Sequence, residues 1–286
     1  MENLILHRLT ALGHPKRMAV FRLLMRRYPD KVSAGELAQA LGFKASTLSV
    51  YLAVLARAGL VDKTRAGTWL LYRVQLDAAR EIIDYLFFDC CRGRAHLCPI
   101  LDPGQAKGAL MMPERKHNVI FICTGNSARS ILAEAILRHE AGERFNAYSA
   151  GTRPAGAPNP FALELLKDMG HETRNLRSKS LDEFQGADAP KMDFIFTVCD
   201  AAANEECPLW PGQPVSGHWG IADPAAVLGT DAEKRQAFAQ AYERMQARIG
   251  AFIALFTTGL DKADLQQQID KIGAMEQMEQ GVSGDG

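Results

Sequence analysis

The sequence has no long apolar run, no excess of one charge sign and only six cysteines in 286 residues. No stretch approaches the roughly 18 apolar residues of a membrane-spanning helix, and the first eight residues do not have the pattern of a secretory signal peptide. We therefore expect a cytoplasmic protein. In a reducing compartment, cysteines are more often catalytic or ligand-binding than paired in a disulfide framework.

The composition, 47% hydrophobic and 23% charged, is typical of a globular protein, and the length exceeds the usual size of one domain. The net charge of zero conceals an asymmetry. Residues 1–98 carry 15 Lys and Arg against 8 Asp and Glu, a net charge of +7, so the remainder carries −7. A basic module suggests nucleic acid as its partner, although a solvated basic face would have the same charge.

Helical spacing in the basic part predicts two short helices within residues 9–25. Ser33 and Glu36 have the spacing of a capping box that opens a third helix. After a short turn, Ser46 is predicted to cap a fourth helix, which Gly59 closes. Two short helices joined by such a turn predict a helix-turn-helix motif, and an ordinary helical hairpin is the alternative.

On the fourth helix, the leucines are predicted to face the core. The opposite, exposed face is predicted to carry small polar and basic side chains. Small side chains suit close approach to base edges in a major groove, and basic ones suit phosphates. Residues 60–74 predict a β-hairpin with a basic tip, which completes a winged helix-turn-helix, mainly α with a β-wing. The candidate DNA-binding residues are Lys44, Ser46, Thr47, Ser49, Val50, Arg57, Lys63 and Arg65.

Residues 1–98 resemble the metalloregulatory winged-helix repressors of the ArsR type. The segments that carry the resemblance are Ala-Leu-Gly-His-Pro-Lys-Arg, Leu-Ala-Gln-Ala-Leu-Gly and Leu-Ala-Arg-Ala-Gly-Leu-Val-Asp. The resemblance implies a homodimer that binds a palindromic DNA operator and releases it when a metal or metalloid binds.

Three cysteines, Cys90, Cys91 and Cys98, follow a helix that the pattern predicts over residues 77–88. Three thiolates are short of an all-cysteine zinc site but match a three-coordinate soft ion such as trivalent arsenic or antimony. His96 with the three thiols would instead complete a zinc site, and this alternative stays open. The resemblance to arsenite-responsive repressors favours As(III) as the inducer.

A second chemical motif begins at the end of an apolar strand, where Cys123 meets a tight turn and then a helical pattern with Arg129. Backbone N–H groups, the helix N-terminus and Arg129 would converge on one tetrahedral oxyanion. We expect the same field to lower the pKa of Cys123 and make its thiolate the nucleophile. The predicted oxyanion-binding loop comprises Thr124, Gly125, Asn126, Ser127, Ala128, Arg129 and Ser130.

From residue 117, strands and helices alternate. This order predicts a three-layer α/β domain with a parallel sheet, and a ligand at the carboxyl ends of the strands. The predicted strands cover residues 118–123, 145–150 and 194–198, and the predicted helices cover residues 127–139, 160–169 and 233–256. The Pro-bounded segment 99–116 is predicted to be a linker. The predicted domains are therefore residues 1–98 and 117–258, followed by a partly disordered tail, 259–286, which is predicted to form a short helix and a disordered end.

Two further sites lie in loops of this domain. Cys199 also follows a strand, so its thiol could reach an adduct on Cys123. The alternative is that Cys199 and Cys207 are two loop cysteines that share no role. Asp223 precedes Pro224, where its carboxyl group is either a general acid near the loop or a helix N-cap. The sequence leaves both pairs of alternatives open.

Residues 117–256 resemble the low-molecular-weight tyrosine phosphatase superfamily. The segment Cys-Thr-Gly-Asn-Ser-Ala-Arg-Ser is most similar to its arsenate reductase branch, as are Ser-Ala-Gly-Thr at 149–152 and His-Trp-Gly followed by Asp-Pro. The resemblance implies that Cys123 attacks arsenate and that Asp223 protonates the departing oxygen. Cys199 then attacks the Cys123 sulfur and releases arsenite, and Cys207 takes over the disulfide.

The resemblance further implies that Asn126 holds the loop in shape, that Ser130 hydrogen-bonds the nucleophile, and that catalysis needs no bound cofactor. The external thiol reductant would be thioredoxin, or glutaredoxin with glutathione. The interval from Cys199 to Cys207 is one residue longer than in the best-known thioredoxin-linked members, so the reductant stays open. The alternatives are a protein-tyrosine phosphatase fused to a DNA-binding regulator, or a repressor whose second domain is catalytically inactive. Against the phosphatase, Ala225 stands where that branch usually has an aromatic residue.

Overall fold

The computed structural model describes residues 2–90, 115–186, 188–205, 210, 214–256 and 262–275. The chain divides into two compact units, residues 1–108 and 109–286, and each is described by itself. Cys91, Cys98, Cys207 and nearly all of the predicted linker lie outside the described residues. The domain limits predicted from the sequence therefore stay a prediction.

The first unit combines helices with a three-stranded sheet in which β3 lies between β1 and β2. Both strand pairs are antiparallel. Its elements are α1 (Glu2–Leu12), α2 (Pro15–Arg26), β1 (Val32–Ser33), α3 (Ala34–Leu41), α4 (Ala45–Arg57), β2 (Val61–Ala66), β3 (Trp69–Val74) and α5 (Leu76–Asp84), which continues as a π-helix over Tyr85–Cys90. The predicted winged helix-turn-helix is confirmed.

Local chemistry explains where α3 and α4 begin and end. Ser33 accepts a hydrogen bond from the Glu36 N–H at the start of α3, and Gly42 ends the helix in the left-handed region, with φ of 64°. The prediction that Ser46 caps α4 is wrong. The N-cap is Lys44, two residues before Ser46, and the helix begins at Ala45, because the Lys44 carbonyl already accepts the first helical hydrogen bond, from Leu48 N–H.

The core of the first unit is formed by apolar residues of the helices together with Val32, Val61, Tyr72 and Val74 of the three strands. On α4 the inward residues are Leu48, Leu52 and Leu55, each at most 1% exposed, as the spacing predicts. The helix predicted over 77–88 instead ends at Asp84, and the next six residues form a π-helix that reaches Cys90. π-Turns are rare and are frequent at functional sites.

The second unit is a parallel sheet in the order β5-β4-β6-β7 with helices around it, so the predicted α/β fold is confirmed. Its elements are β4 (His117–Cys123), α6 (Arg129–Ala141), β5 (Phe145–Gly151), α7 (Pro160–Asp168), a 3-10 helix (Leu181–Phe184), β6 (Phe194–Thr197), α8 (Asp200–Asn204), β7 (Val215–His218), a second 3-10 helix (Pro224–Ala226), α9 (Asp231–Leu255) and α10 (Lys262–Gly273).

The three predicted strands lie within one residue of the observed β4, β5 and β6. One difference from the prediction matters for the site. Helix α6 begins at Arg129 rather than at residue 127, because Ala128 has a non-helical backbone, with φ of −126° and ψ of −91°. The residues between β4 and α6 are thus free to form a loop around an anion.

The short helix predicted in the tail is observed as α10, and it packs into the core, which the sequence did not predict. Leu265, Ile269 and Ile272 are between 0 and 6% exposed. The amide of Gln266 donates to the Ser216 carbonyl at 2.7 Å and accepts from the Ser216 N–H at 3.4 Å. Helix α10 therefore covers the edge strand β7, whose backbone groups would otherwise be open to pairing with another chain.

Membrane-spanning character was tested on length and hydropathy. Among the described residues no single helix is long and apolar enough to cross a membrane. The α3 and α4 pair meets these criteria only when joined, and the two helices are bent by 112°.

Candidate active site and candidate DNA-binding surface

Cys123 ends the central strand β4, and its side chain is enclosed by the loop that follows. The residue is 3% exposed. Its Sγ lies 2.9 Å from the Ser130 Oγ and accepts a hydrogen bond from the Asn126 N–H at 3.1 Å. Strand, loop and helix thus place the thiol inside a turn of backbone N–H groups, as the sequence predicts for an oxyanion-binding loop.

Asn126 fixes the shape of this loop. Its φ of 45° lies in the left-handed region, which asparagine tolerates better than most residues. Its fully buried side chain donates to Ser130 Oγ at 2.9 Å and Ser149 Oγ at 2.8 Å, and accepts from the Lys179 N–H at 2.7 Å. Every polar atom of the amide is therefore directed at a partner that holds the loop.

A second segment, residues 151–159, runs beside the oxyanion loop and is joined to it by backbone hydrogen bonds. Gly151 permits the close approach, since a Cβ there would lie 2.7 Å from the Thr124 carbonyl oxygen. The backbone hydrogen bonds, 2.8–3.1 Å long, run from the N–H groups of Thr152, Arg153, Ala155 and Asn159 to the carbonyls of Cys123, Thr124, Gly125 and Ser127. Because these carbonyls point to the second segment, the N–H groups of the oxyanion loop are left for its inner side, where the Asn126 N–H meets the Cys123 thiol.

A buried ionic network, which the sequence did not predict, supports the loop on the side away from the thiol. Glu134, 2% exposed, accepts from Lys179 Nζ at 2.7 Å and from the side chains of Ser149 and Arg138. Ser149 also accepts from Asn126, so hydrogen bonds run from Glu134 to Cys123. A carboxylate inside the otherwise apolar pattern of α6, four residues after Ser130, is the signal that could have identified it.

Arg129 is turned toward Asp223. Its Nη2 donates to the Asp223 carboxylate at 2.7 Å, and its Nη1 donates to the Ile221 carbonyl at 3.1 Å. The Nε is buried and has no hydrogen-bond partner among the described residues. Asp223 also accepts from the Ala225 N–H, so it is an N-cap, and at the same time lies against the arginine of the loop.

Cys199 lies beside the same loop. It is 1% exposed and forms the N-cap of the short helix α8, where its Sγ accepts from the Ala202 N–H at 3.4 Å. The Cys199 Sγ is also 3.5 Å from the Thr124 Oγ1. Two strands of the sheet thus bring two buried thiols to one loop. Cys207 lies outside the described residues.

The pKa of Cys123 differs from the sequence expectation. Burial raises the pKa of this thiol above its ordinary value. The hydrogen bond with Ser130 opposes this shift, the neighbouring Cys199 adds to it, and the N–H of Asn126 also opposes it. The expectation of a lowered pKa is wrong in direction, because burial of the thiol outweighs the hydrogen bonds that lower its pKa.

The first unit displays its candidate DNA-binding residues outward. Among them only Thr47 is half-buried, and the exposed ones are Lys44, Ser46, Ser49, Val50, Arg57, Lys63 and Arg65. Trp69, 64% exposed at the wing tip, is an exposed aromatic that the sequence analysis did not single out. Cys90, the one described member of the predicted metalloid group, is exposed at the end of the π-helix.

Comparisons with known proteins match both units. Residues 12–64 match a family of helix-turn-helix domains. An arsenate reductase of Oceanobacillus iheyensis is 35% identical over 137 residues, covering 48% of this chain and 95% of that one. One from Bacillus subtilis is 34% identical over 134 residues, covering 47% and 93%.

The crystal structure of an arsenate reductase from Archaeoglobus fulgidus is 28% identical and covers 46% of this chain and 98% of that one, with a TM-score of 0.36. A family model described as low molecular weight phosphotyrosine protein phosphatase matches residues 118–268, more than half of the sequence. The chain therefore belongs to the low molecular weight phosphotyrosine protein phosphatase family, joined to a helix-turn-helix domain.

Proposed function

We propose that the second unit is a thiol-dependent arsenate reductase and that the first is an arsenite-responsive transcriptional repressor. The observation that carries the reductase proposal is the placement of Cys199. A phosphatase needs one nucleophilic cysteine, whereas reduction of arsenate needs two electrons from two thiols. The buried thiol of Cys199, beside the loop that holds Cys123, would be the second of these thiols. The curated relatives named arsenate reductase support the same activity.

In the proposed reaction the Cys123 thiolate attacks arsenic, and one arsenate oxygen leaves as water after Asp223 donates a proton. The Cys199 thiolate then attacks the Cys123 sulfur. As the S–As bond breaks, its electron pair passes to arsenic, so As(V) becomes As(III) and a Cys123–Cys199 disulfide forms. Cys207 takes over this disulfide, and an external thiol reductant, thioredoxin or glutaredoxin with glutathione, reduces it.

The oxyanion would be held by the N–H groups of residues 124–130 and by Arg129. The unpartnered, buried Nε of Arg129 supports this assignment, because a buried donor without an acceptor is costly and an anion would satisfy it. Anion binding would also compete with Asp223 for the Nη2 of the same guanidinium. The buried Glu134 and Lys179 would keep the loop in its binding shape.

The first unit would bind operator DNA as a homodimer, with α4 in the major groove and the basic wing beside it. The exposed, small and basic residues of α4 and the wing support this proposal. As(III), bound by Cys90, Cys91 and Cys98, would release the DNA. The arsenite produced by the second unit would then be the inducer of the first.

One assay set tests the reductase proposal. We would measure arsenate-dependent oxidation of reductant and hydrolysis of p-nitrophenyl phosphate for the wild type, Cys199→Ser and the control Cys90→Ser. We expect arsenate turnover in the wild type and the control, and none in Cys199→Ser. Intact arsenate turnover in Cys199→Ser would contradict the relay, and hydrolysis of the ester without arsenate reduction would favour the phosphatase.

A second assay tests the repressor proposal. Arsenite would be titrated into a complex of the full chain with a DNA duplex that the wild type has selected from a random pool. We expect release of the wild type but not of Cys90→Ser. Equal release by both chains would contradict the sensor assignment, and release by zinc instead of arsenite would favour the zinc site.

A further inference from the structure

The imidazole of His218 contacts the chain on both sides of Cys199. His218 ends strand β7 and is 3% exposed. Its Nδ1 lies 2.8 Å from the Oγ1 of Thr197, two residues before Cys199. Its Nε2 lies 3.2 Å from the carboxylate of Asp200, the residue after Cys199. One buried ring therefore holds the backbone that carries the second thiol at two points.

The two partners determine which ring nitrogen of His218 carries the proton. An ionised carboxylate only accepts hydrogen bonds, so the Nε2–H of His218 donates to Asp200. In the neutral imidazole, Nδ1 then accepts from the hydroxyl of Thr197. Asp200 therefore fixes both the orientation of the ring and its tautomer.

The strands around His218 hold the ring in a fixed place. Thr197 pairs with His218 across β6 and β7, and the N–H of Trp219 donates to the Thr197 carbonyl at 2.8 Å. The indole of Trp219 stacks on Phe196, with 3.8 Å between ring centroids, and its Nε1 donates to the Ile269 carbonyl at 3.3 Å. Because a close-packed core leaves little space for displacement, His218 cannot shift without disturbing the sheet.

Gly220 leaves the space that the contact between His218 and Asp200 needs. A Cβ at residue 220 would lie 2.7 Å from the His218 Nε2 and 2.8 Å from the Asp200 Oδ1. A side chain there would therefore push the two groups apart. The His-Trp-Gly sequence of residues 218–220 thus supplies the ring, the packing beside it and the room for its partner.

The placement of Cys199 matters most in the second step of the proposed reaction. In that step the Cys199 sulfur bonds to the Cys123 sulfur, the S–As bond breaks, and its electron pair passes to arsenic. A misplacement of about 1 Å between reacting groups can cost about 10²-fold in rate. Cys199 caps a helix of only five residues, and so short a helix is not stable by itself. The contacts at Thr197 and Asp200 are therefore needed to hold the thiol.

We propose that His218 and Asp200 are positioning residues for the Cys199 thiol. Loss of their contact would slow formation of the Cys123–Cys199 disulfide and leave binding of the oxyanion unchanged. The inference rests on the proposed arsenate reductase and specifies which residues position its second thiol. His218 and Asp200 act through the backbone on either side of Cys199, and neither belongs to the oxyanion loop.

The test uses Asp200→Ala in the full-length chain, because the Asp200 side chain is 55% exposed and its loss should not prevent folding. Asp200→Asn is the conservative variant, since its amide oxygen can still accept from the His218 Nε2. Asp188→Ala removes an exposed carboxylate elsewhere in the same unit and is the matched control.

Two quantities would be measured for each chain, together with its melting temperature. The first is the rate of arsenite formation in a single turnover, at saturating arsenate and without external reductant. The second is the dissociation constant of sulfate, obtained from its protection of Cys123 against iodoacetamide. The rate depends on the second thiol, whereas sulfate reports only on the oxyanion loop.

We expect Asp200→Ala to form arsenite at least about tenfold more slowly than the wild type, with a sulfate dissociation constant within about twofold. Asp200→Asn should recover most of the rate, and Asp188→Ala should keep both values. A general structural role would weaken sulfate binding and lower the melting temperature together with the rate, and this result would overturn the proposal. An unchanged rate in Asp200→Ala would also refute it. If the wild type forms no arsenite, the reductase proposal fails first, and this inference with it.

Discussion

The guanidinium of Arg129 and the carboxylate of Asp223 form an ion pair, with 2.7 Å between Nη2 and Oδ2. These are the two groups that the reductase proposal assigns to the oxyanion and to the leaving oxygen. The pair is partly enclosed, because the Arg129 side chain is only 14% exposed. The proposed acid and the proposed anion-binding arginine therefore contact each other, and an oxyanion bound by the Nη2 of Arg129 would displace Asp223.

This relationship predicts that Asp223→Asn slows arsenate reduction without weakening the binding of an anion. The maximal rate of arsenate reduction should fall by about 10²- to 10⁴-fold, because general acid catalysis is lost. The inhibition constant of sulfate, an unreactive tetrahedral anion, should stay equal or decrease, because Arg129 loses a competing charged acceptor. The exposed control Asp188→Asn should change neither quantity. Weaker sulfate binding by Asp223→Asn would argue that the carboxylate helps to build the anion site.

A second prediction concerns the hydrogen bond of 2.9 Å between Ser130 and Cys123. This bond lowers the pKa of the thiol against the effect of burial, so Ser130→Ala should raise that pKa further. The thiolate fraction at neutral pH would decrease, and alkylation of Cys123 by iodoacetamide would slow by about tenfold for each pKa unit. Peptide-resolved mass spectrometry across pH measures this, with Ser127→Ala as control. An unchanged pH profile for Ser130→Ala would contradict the assignment.

A third prediction compares a buried ion pair with a surface one. Lys179→Met removes the ammonium group that pairs with the buried Glu134 carboxylate. Because a buried charge without its partner is costly, the variant should lower the free energy of unfolding by about 3 kcal/mol. Arg177→Met breaks the exposed pair with Glu183 and should cost at most about 1 kcal/mol. Urea unfolding of both variants provides the comparison. Equal losses would show that the pair of Glu134 and Lys179 does not support the loop as described.

A fourth prediction follows from Asp270, whose pKa burial raises to about 6. Because the folded pKa exceeds the unfolded one, the ionised carboxylate destabilises the fold above pH 6, and this penalty disappears below about pH 4. Asp270→Asn should therefore raise the free energy of unfolding by about 1–2 kcal/mol at pH 7, allowing for partial solvent screening. It should give no gain near pH 4. A gain independent of pH, or one equal to that of Asp188→Asn, would contradict the shift.

Local periodicity and short-range chemistry were sufficient to predict both folds, the wing, and the position of Cys123 at a strand end. They could not predict the partners of long side chains. The contact of Arg129 with Asp223 spans 94 residues of chain, and that of Lys179 with Glu134 spans 45. Helix α10 was underestimated for a related reason. Its apolar residues, Leu265, Ile269 and Ile272, are few, and only the sheet edge at β7 makes them a core surface.

For the pKa of Cys123, the effect of burial is larger than the effect of the hydrogen bonds from the loop. The strand, turn and helix pattern predicts a site that stabilises anions, but a thiol that is 3% exposed also loses its hydration. Burial is a property of the packed fold and not of the loop sequence. The direction of the shift therefore required the structure.

The central claim is that Cys123 and Cys199 together supply the two electrons that reduce arsenate. The most direct measurement is a single turnover, with the fully reduced chain incubated with arsenate and no external reductant. Arsenite would be quantified and the disulfides mapped by mass spectrometry. The proposal predicts about one arsenite per wild-type chain, with the loss of two thiols that include Cys123, and no arsenite from Cys199→Ser. Arsenite released equally by Cys199→Ser, or by the wild type without disulfide formation, would contradict the account.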